Sequence, residues 1–294
     1  MSNKMKRSKE KYLVMGGDSV IGRSLYNELL NRGCEVYYTT RRNTKLLEKS
    51  IYFNLKENNI NFSPNNVFVC TGISDINFCE QFPKKTWDLN VNLTLDLLKK
   101  FYKSGSHITF LSSEMVFNEE IENPDIDSKK QPITQYGKQK SKIENEILLL
   151  GKSITIFRMS KVVSINYNFF YEWMENIKKH KVIEAFSNYY LSPISLNYAI
   201  KNILKENLNG VIHLTGEKKV SYYDFAKILI DKKLQPNLIK NIEVNFNKKE
   251  YLNNSKKKSM NMNLTKKKYN INPQKIKSVV KDLFKEYNNL KNEY

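Results

Sequence analysis

The sequence predicts an α/β fold of the doubly wound kind, a parallel sheet with helices on both faces, followed by a smaller lobe towards the carboxyl terminus. Three observations carry this. Short apolar runs alternate with helical periods through the first half of the chain. The connections between runs are long enough for parallel crossovers. Run after run ends in glycine or in a hydroxyl residue.

The elements follow in order. Tyr12-Leu13-Val14-Met15 is a first strand, ending in Gly16-Gly17. A helix follows, with Ile21, Leu25, Leu29 and Leu30 on one face, and stops at Gly33. Val36–Thr39 and Val67–Cys70 are further strands, the latter ending at Thr71-Gly72. One helix is expected from about Lys84 to Tyr102, with Leu89, Leu93, Leu97 and Leu98 as its apolar stripe. His107–Leu111 is a strand that ends at Ser112-Ser113; Tyr136–Leu150 is a helix and Ile154–Phe157 the next strand. In such sheets ligands bind outside the carboxyl ends of the strands. Gly16, Thr40, Thr71 and Ser113 all follow strands, so they are expected to meet at one end of the sheet.

The second half is less regular. Phe169–Lys181 and Leu196–Leu204 read as helices, Val211–Leu214 as a strand, and Ser221 as the cap of a helix through Ile230. Lys248–Lys268 reads as a Lys- and Asn-rich surface excursion, and a last amphipathic helix runs from about Lys275 to Tyr287. This divides the chain into a nucleotide-binding domain, residues 10–163 with 192–215 returning to it, and a second lobe from 164–191 and 216–294.

Composition narrows the function. At 294 residues and 40% hydrophobic the chain can bury a sizeable core. The net charge of +19 attracts anions, but it is nearly all Lys spread along the chain, with only six Arg and no dense cluster. That distribution favours an anionic small substrate over nucleic acid. Cys34, Cys70 and Cys79 lack metal-site spacing, and His107, His180 and His213 lie far apart, so no metal is expected. The basic amino terminus leads into no long apolar run, so a cytoplasmic protein with no membrane span is expected.

Certain residues carry chemistry. The turn Gly16-Gly17-Asp18-Ser19-Val20-Ile21-Gly22 joins a strand to a helix, where glycines allow close approach and helix amides face an anion. The second strand ends Thr39-Thr40-Arg41-Arg42. An NAD-preferring fold places an acid there; two guanidinium groups instead suit a 2′-phosphate, so the cofactor is expected to be NADP(H). Tyr136 and Lys140 stand one helical turn apart, and a nearby ammonium lowers a phenol's pKa. The spacing alone is weak, since Tyr52/Lys56, Tyr223/Lys227 and Tyr287/Lys291 share it. Only Tyr136 follows a strand that ends in hydroxyl residues.

With these residues in view, the chain resembles the extended short-chain dehydrogenases/reductases, a Rossmann-fold family, and within them the branch of dTDP-4-dehydrorhamnose reductase and its sugar-nucleotide relatives. Gly16 to Gly22 resembles the family's glycine motif, with Ser19 for its middle glycine. Asn54-Leu55, Cys70-Thr71-Gly72 and Asn90-Val91 sit at family positions, and Ser112-Ser113-Glu114-Met115-Val116-Phe117 resembles the segment carrying the catalytic hydroxyl. Pro132 with Tyr136-Gly137 to Lys140, then Arg158, Ser192-Pro193 and Gly210 to Leu214, continue the match in order.

The resemblance implies roles. Tyr136 is the general acid, Lys140 binds the nicotinamide ribose and tunes Tyr136, and Ser113 hydrogen-bonds the developing oxyanion. Asn90 holds a proton-relay water or the helix that carries it. Gly16, Ser19, Val20, Ile21, Gly22, Thr40, Arg41, Arg42, Asn54, Leu55, Cys70, Thr71 and Gly72 contact the cofactor, together with Tyr136 and Lys140. The second lobe binds substrate. The implied activity is NADPH-dependent reduction of a nucleotide-linked 4-keto-6-deoxy sugar in polysaccharide biosynthesis, by a protein that can form a homodimer. Alternatives on the same scaffold are a sugar-nucleotide epimerase and a non-catalytic regulatory subunit. Glu114-Met115 replaces the family's Asp-Tyr, the Thr-Asp-Glu of sugar 4,6-dehydratases is absent, and no Trp lies in Arg158–Val163.

Overall fold

The computed structural model describes residues 10–42, 49–53, 60, 62–118, 121–230, 238–243 and 259–292. In chain order the first half gives β1 (Lys11–Met15), α1 (Val20–Asn31), β2 (Glu35–Thr40), β3 (Ser50–Tyr52) and β4 (Asn66–Val69). Then come α2 (Ile76–Gln81), α3 (Pro83–Trp87), a π-helical turn (Asp88–Leu93), α4 (Thr94–Lys103), β5 (His107–Ser113), α5 (Gln135–Leu148) and β6 (Ile154–Met159). The second half gives β7 (Val162–Val163), α6 (Asn168–Lys178), β8 (Ile183–Phe186), β9 (Tyr190–Leu191), β10 (Ile194–Ser195), α7 (Leu196–Ile203) and β11 (Gly210–Leu214). It closes with β12 (Val220–Ser221), α8 (Tyr222–Leu229), β13 (Ile239–Ile242), α9 (Asn263–Tyr269) and α10 (Ile276–Asn292).

Seven strands form one parallel sheet in the order β11-β6-β5-β4-β1-β2-β3. β1 is central, pairing Leu13 with Tyr37 on one side and with Val67 on the other. Strand order reverses between β1 and β4, which opens a crevice at their carboxyl ends. Alternate residues make one face of the sheet: Leu13, Met15, Val67, Val69, Ile108, Phe110, Ile154 and Ile156 pack with Leu95 and Leu98 of α4 and Ile143 and Ile147 of α5. α1 buries Leu25 and Leu29 as its period demands, while Leu30 turns outward.

The chain divides into two compact units, one of residues 1–116, 131–158 and 203–212, the other of 117–130, 159–202 and 213–294. The second unit has its own core. Phe170, Trp173 and Met174 of α6, Ile183 and Ala185 of β8, Phe225 and Leu229 of α8, and Val279, Leu283 and Tyr287 of α10 pack together. Ser221 caps α8 by accepting a hydrogen bond from the Asp224 amide, as its sequence position predicts.

The helix expected from about Lys84 to Tyr102 runs without a break from Pro83 to Lys103, as α3, the π-helical turn and α4 in direct succession, and within it the Thr94 hydroxyl donates to the Leu89 carbonyl at 3.0 Å. The extra residue in that turn rotates Asn90 and Val91 inward. The excursion at Lys248–Lys268 is not all surface. That expectation is corrected: its described part carries α9, and Met260, Met262 and Thr265 are buried, the two methionines alternating with Asn261 and Asn263.

Candidate active site

The carboxyl ends of β1, β2, β4 and β5 point one way, since each pairs in parallel with its neighbour. Gly16, Thr40 and Thr71 therefore share one end of the sheet with Ser113. The first three line a cleft of about 180 Å³, together with Asp18, Ser19, Thr39, Arg41, Phe53, Cys70, Gly72, Ile73, Leu89 and Asn90. Asn54 and Leu55 lie outside the described residues.

The glycine turn is fixed from within. Gly16 has φ +84°, and a Cβ there would stand 2.9 Å from the Thr71 amide, so the turn lies directly against the loop after β4. Ser19, which stands where the resembling family has glycine, has an extended backbone and caps α1. Its hydroxyl donates to the Gly16 carbonyl at 2.8 Å and accepts from the Gly22 amide at 3.0 Å. The serine side chain thus serves the turn. Val20 and Ile21 begin the helix, where amides have no intrahelical acceptor, and among the described residues none meets them. Those two amides, at the positive end of α1, could hold a pyrophosphate.

The end of β2 departs from the sequence reading. That reading finds no acid beside Thr40, but the fold brings one from the glycine turn. The Thr40 hydroxyl donates to Asp18 Oδ2 at 2.9 Å, the Arg41 amide reaches the same oxygen at 3.4 Å, and Arg42 Nε stands 3.9 Å from Oδ1. The turn is stitched to β2 by two further bonds, Gly16 amide to Thr39 Oγ1 at 2.8 Å and Gly17 amide to the Thr39 carbonyl at 3.0 Å. Asp18 is a residue that sequence reasoning missed. The signal was an acid inside a glycine motif whose strand partner ends in two threonines.

Ser113, Tyr136 and Lys140 are set by β5 and α5. Thr134 caps α5 through the Gly137 amide at 3.1 Å. A side chain at Gly137 would collide with the Met115 carbonyl, so glycine lets the start of α5 close on the segment after β5. That segment is held in turn by Ser113 Oγ, which accepts from the Met115 amide at 3.2 Å. Lys140 Nζ donates to the Leu111 carbonyl at 2.8 Å and stands 4.5 Å and 5.6 Å from the ring centres of Phe110 and Tyr136. Burial drives the Lys140 pKa down to about 8, against the opposing pull of Cys70, Glu144 and Cys79. Burial likewise pushes the Cys70 thiol up to about 12, so it is a neutral wall of the cleft.

Beneath this face lies a buried ion pair. Arg158 of β6 grips Glu144 of α5 with Nη2 to Oε2 at 2.8 Å and Nε at 3.1 and 3.2 Å from the two oxygens. Ser112 Oγ donates to Glu144 Oε1 at 2.5 Å.

Asn90 is engaged by protein on both ends of its amide. Its Oδ1 accepts from the Ile73 amide at 2.7 Å, and its Nδ2 donates to the Ile73 carbonyl at 2.9 Å and to Gln139 Oε1 at 2.7 Å. The π-helical turn thereby ties the loop after β4 to α5.

A larger recess of about 530 Å³ opens among Glu10, Tyr12, Asn66, His107 and Thr155, at the amino ends of the same strands. It shares no residue with the cleft and is remote from Ser113 and Tyr136. Among the described residues no group of three or more His, Cys, Asp or Glu is placed to hold a metal, and no helix is long and apolar enough to cross a membrane.

The comparisons with known proteins agree with this architecture. The family model of the RmlD substrate binding domain matches residues 10–289. A dTDP-4-dehydrorhamnose reductase of Aggregatibacter actinomycetemcomitans is 24% identical over 245 residues, 78% of this chain and 81% of that protein. Two solved structures share the fold: a dTDP-4-dehydrorhamnose reductase from Bacillus anthracis in complex with NADP, at TM-score 0.78 and 18% identity, and a UDP-glucose 4-epimerase from Thermotoga maritima with UDP-glucose, at TM-score 0.78 and 15% identity. Each likeness covers 95% of this chain and 99% of the other.

Proposed function

Because the chain belongs to the family of the RmlD substrate binding domain, we propose that it is an NADPH-dependent reductase of a nucleotide-linked 4-keto-6-deoxy sugar. The observation that carries this is Lys140, held at 2.8 Å by the Leu111 carbonyl with its ammonium beside the Tyr136 ring, at the sheet end that also carries the cleft. The glycine turn and the cleft beside it suit the adenosine end of a dinucleotide, with the Val20 and Ile21 amides for its pyrophosphate and the end of β2 for its ribose. When bound, a reduced nicotinamide supplies hydride to the carbonyl carbon.

The chain's own residues do the rest. Ser113 Oγ donates a hydrogen bond to the carbonyl oxygen, and the Tyr136 phenol passes it a proton as charge develops. Lys140 has two N–H groups beyond the one given to Leu111, enough to reach a ribose hydroxyl while its charge steadies Tyr136. Asn90 keeps the loop after β4 and α5 in register. The second unit serves as the substrate-binding lobe.

The test is direct. Nucleotide-linked 4-keto-6-deoxy sugars offered with NADPH should be reduced, with one NADPH consumed per product. Conversion with no net cofactor consumption would instead support the second reading, an epimerase, which the likeness to UDP-glucose 4-epimerase favours. No conversion of either kind would overturn both.

Cofactor choice is tested separately. Arg41 lines the cleft at the end of β2 and can meet a 2′-phosphate, a charge-assisted contact worth on the order of 1.5–3 kcal/mol. Arg41→Ala should weaken NADPH binding roughly tenfold or more and leave NADH nearly unchanged. Equal losses for the two cofactors would remove Arg41 from this role.

A further inference from the structure

We infer that Asp18 is the carboxylate that reads the adenosine ribose, and that it holds the preference for NADPH over NADH to about tenfold or less by opposing Arg41 and Arg42. The inference rests on the cofactor reading above and adds to it a residue of opposite sign.

The geometry supports it step by step. In a dinucleotide fold an acid at the end of the second strand accepts hydrogen bonds from the ribose hydroxyls. Here that strand ends in Thr40, which has no charge. Its hydroxyl instead donates at 2.9 Å to Asp18, and the Arg41 amide adds a longer contact at 3.4 Å to the same oxygen. The carboxylate therefore stands where the strand's own acid would, though it comes from the glycine turn. Asp18, Thr40 and Arg41 line one cleft, so the carboxylate faces the bound ligand.

The turn holds Asp18 in place. Thr39 accepts from the Gly16 amide through its side chain and from the Gly17 amide through its carbonyl. Thr40 then fixes the carboxylate. Two threonines in sequence thus anchor the turn and aim its acid. Oδ2 is engaged by Thr40 and Arg41, while among the described residues Oδ1 keeps only the 3.9 Å approach of Arg42. Oδ1 is the atom offered to a ribose hydroxyl.

The chemistry cuts both ways. An ionised carboxylate has only acceptor sites, so it accepts hydrogen bonds from hydroxyls and repels a phosphate. Arg42 is largely exposed and 3.9 Å away, so its pairing with Asp18 is weak and leaves most of that negative charge in force. The site thus holds both an attraction for the 2′-phosphate and a carboxylate suited to the unphosphorylated ribose. Such a site accepts both cofactors.

Titration of NADPH and NADH into the unmodified protein and into Asp18→Asn decides the matter. Asparagine keeps an oxygen for the Thr40 hydroxyl and removes the charge. The unmodified protein should bind the two cofactors within about tenfold of each other. Asp18→Asn should tighten NADPH several-fold and weaken NADH several-fold, widening the ratio by about tenfold or more. Asp18→Ser, which removes the same charge with a shorter side chain, should move the ratio the same way. An unchanged ratio in both variants overturns the role of Asp18 alone. Binding of neither cofactor by the unmodified protein overturns the cofactor reading, and this inference with it.

Discussion

Tyr136→Phe lowers turnover by about a hundredfold or more and leaves the dissociation constant of the cofactor nearly unchanged. The magnitude is that of removing a positioned general acid. The selectivity comes from what phenylalanine keeps. Its ring still fills the half-buried site on the first turn of α5 and still lies under the Lys140 ammonium, 5.6 Å from the ring centre in the present structure. Thr134 still caps the helix, and Gly137 still closes on Met115. Only the proton donor is lost. Lys140→Ala behaves differently, because that ammonium faces both the tyrosine and the proposed ribose site. It should raise the cofactor dissociation constant and lower kcat together. Steady-state kinetics with paired binding titrations measure both. Near-normal kcat for Tyr136→Phe on a turned-over substrate would exclude Tyr136 as the acid.

The parts of this site written in consecutive residues were legible before any coordinates. β1 with its glycine turn, β5 ending in Ser112-Ser113, and Tyr136 with Lys140 on α5 each declare themselves by a period or a local break. What escaped depends on contacts between distant residues. Leu89, Leu93 and Leu97 are spaced as in a continuous helix, and only the bonds of Asn90 to Ile73 and Gln139 account for the π-helical turn between them. Asp18 lies 22 positions before Thr40, so a search for an acid after β2 could not meet it. α2 was missed for a different reason. Asp75 caps it through the Phe78 amide, a signal present in the sequence, but the helix is only six residues long and its apolar pattern is weak. β8 and β13 pair across a span that holds α7, β11 and α8, so nothing local to either strand signals its partner.

The buried pair of Glu144 and Arg158 was legible only as an Arg after a strand, yet it carries the largest expected effect on stability. Glu144→Ala should destabilise the protein by about 3–5 kcal/mol, because it leaves a guanidinium buried without its counter-charge. The side chains are 0% and 3% exposed, so water offers little relief. Glu144 lies one turn beyond Lys140 and two beyond Tyr136 on α5, while its partners Ser112 and Arg158 belong to β5 and β6. Removing it unties the helix face that carries Tyr136 from the strand end that carries Ser113. The double substitution Glu144→Leu with Arg158→Met removes both charges and retains volume, so it should recover most of the lost stability. Urea unfolding of the two single variants and the double variant measures this. Strict additivity, with the double variant as unstable as the sum of the single variants, would mean that the two charges do not depend on each other. Recovery of stability without recovery of turnover is the expected outcome, since Leu cannot accept the Ser112 hydroxyl bond that fixes the residue beside Ser113.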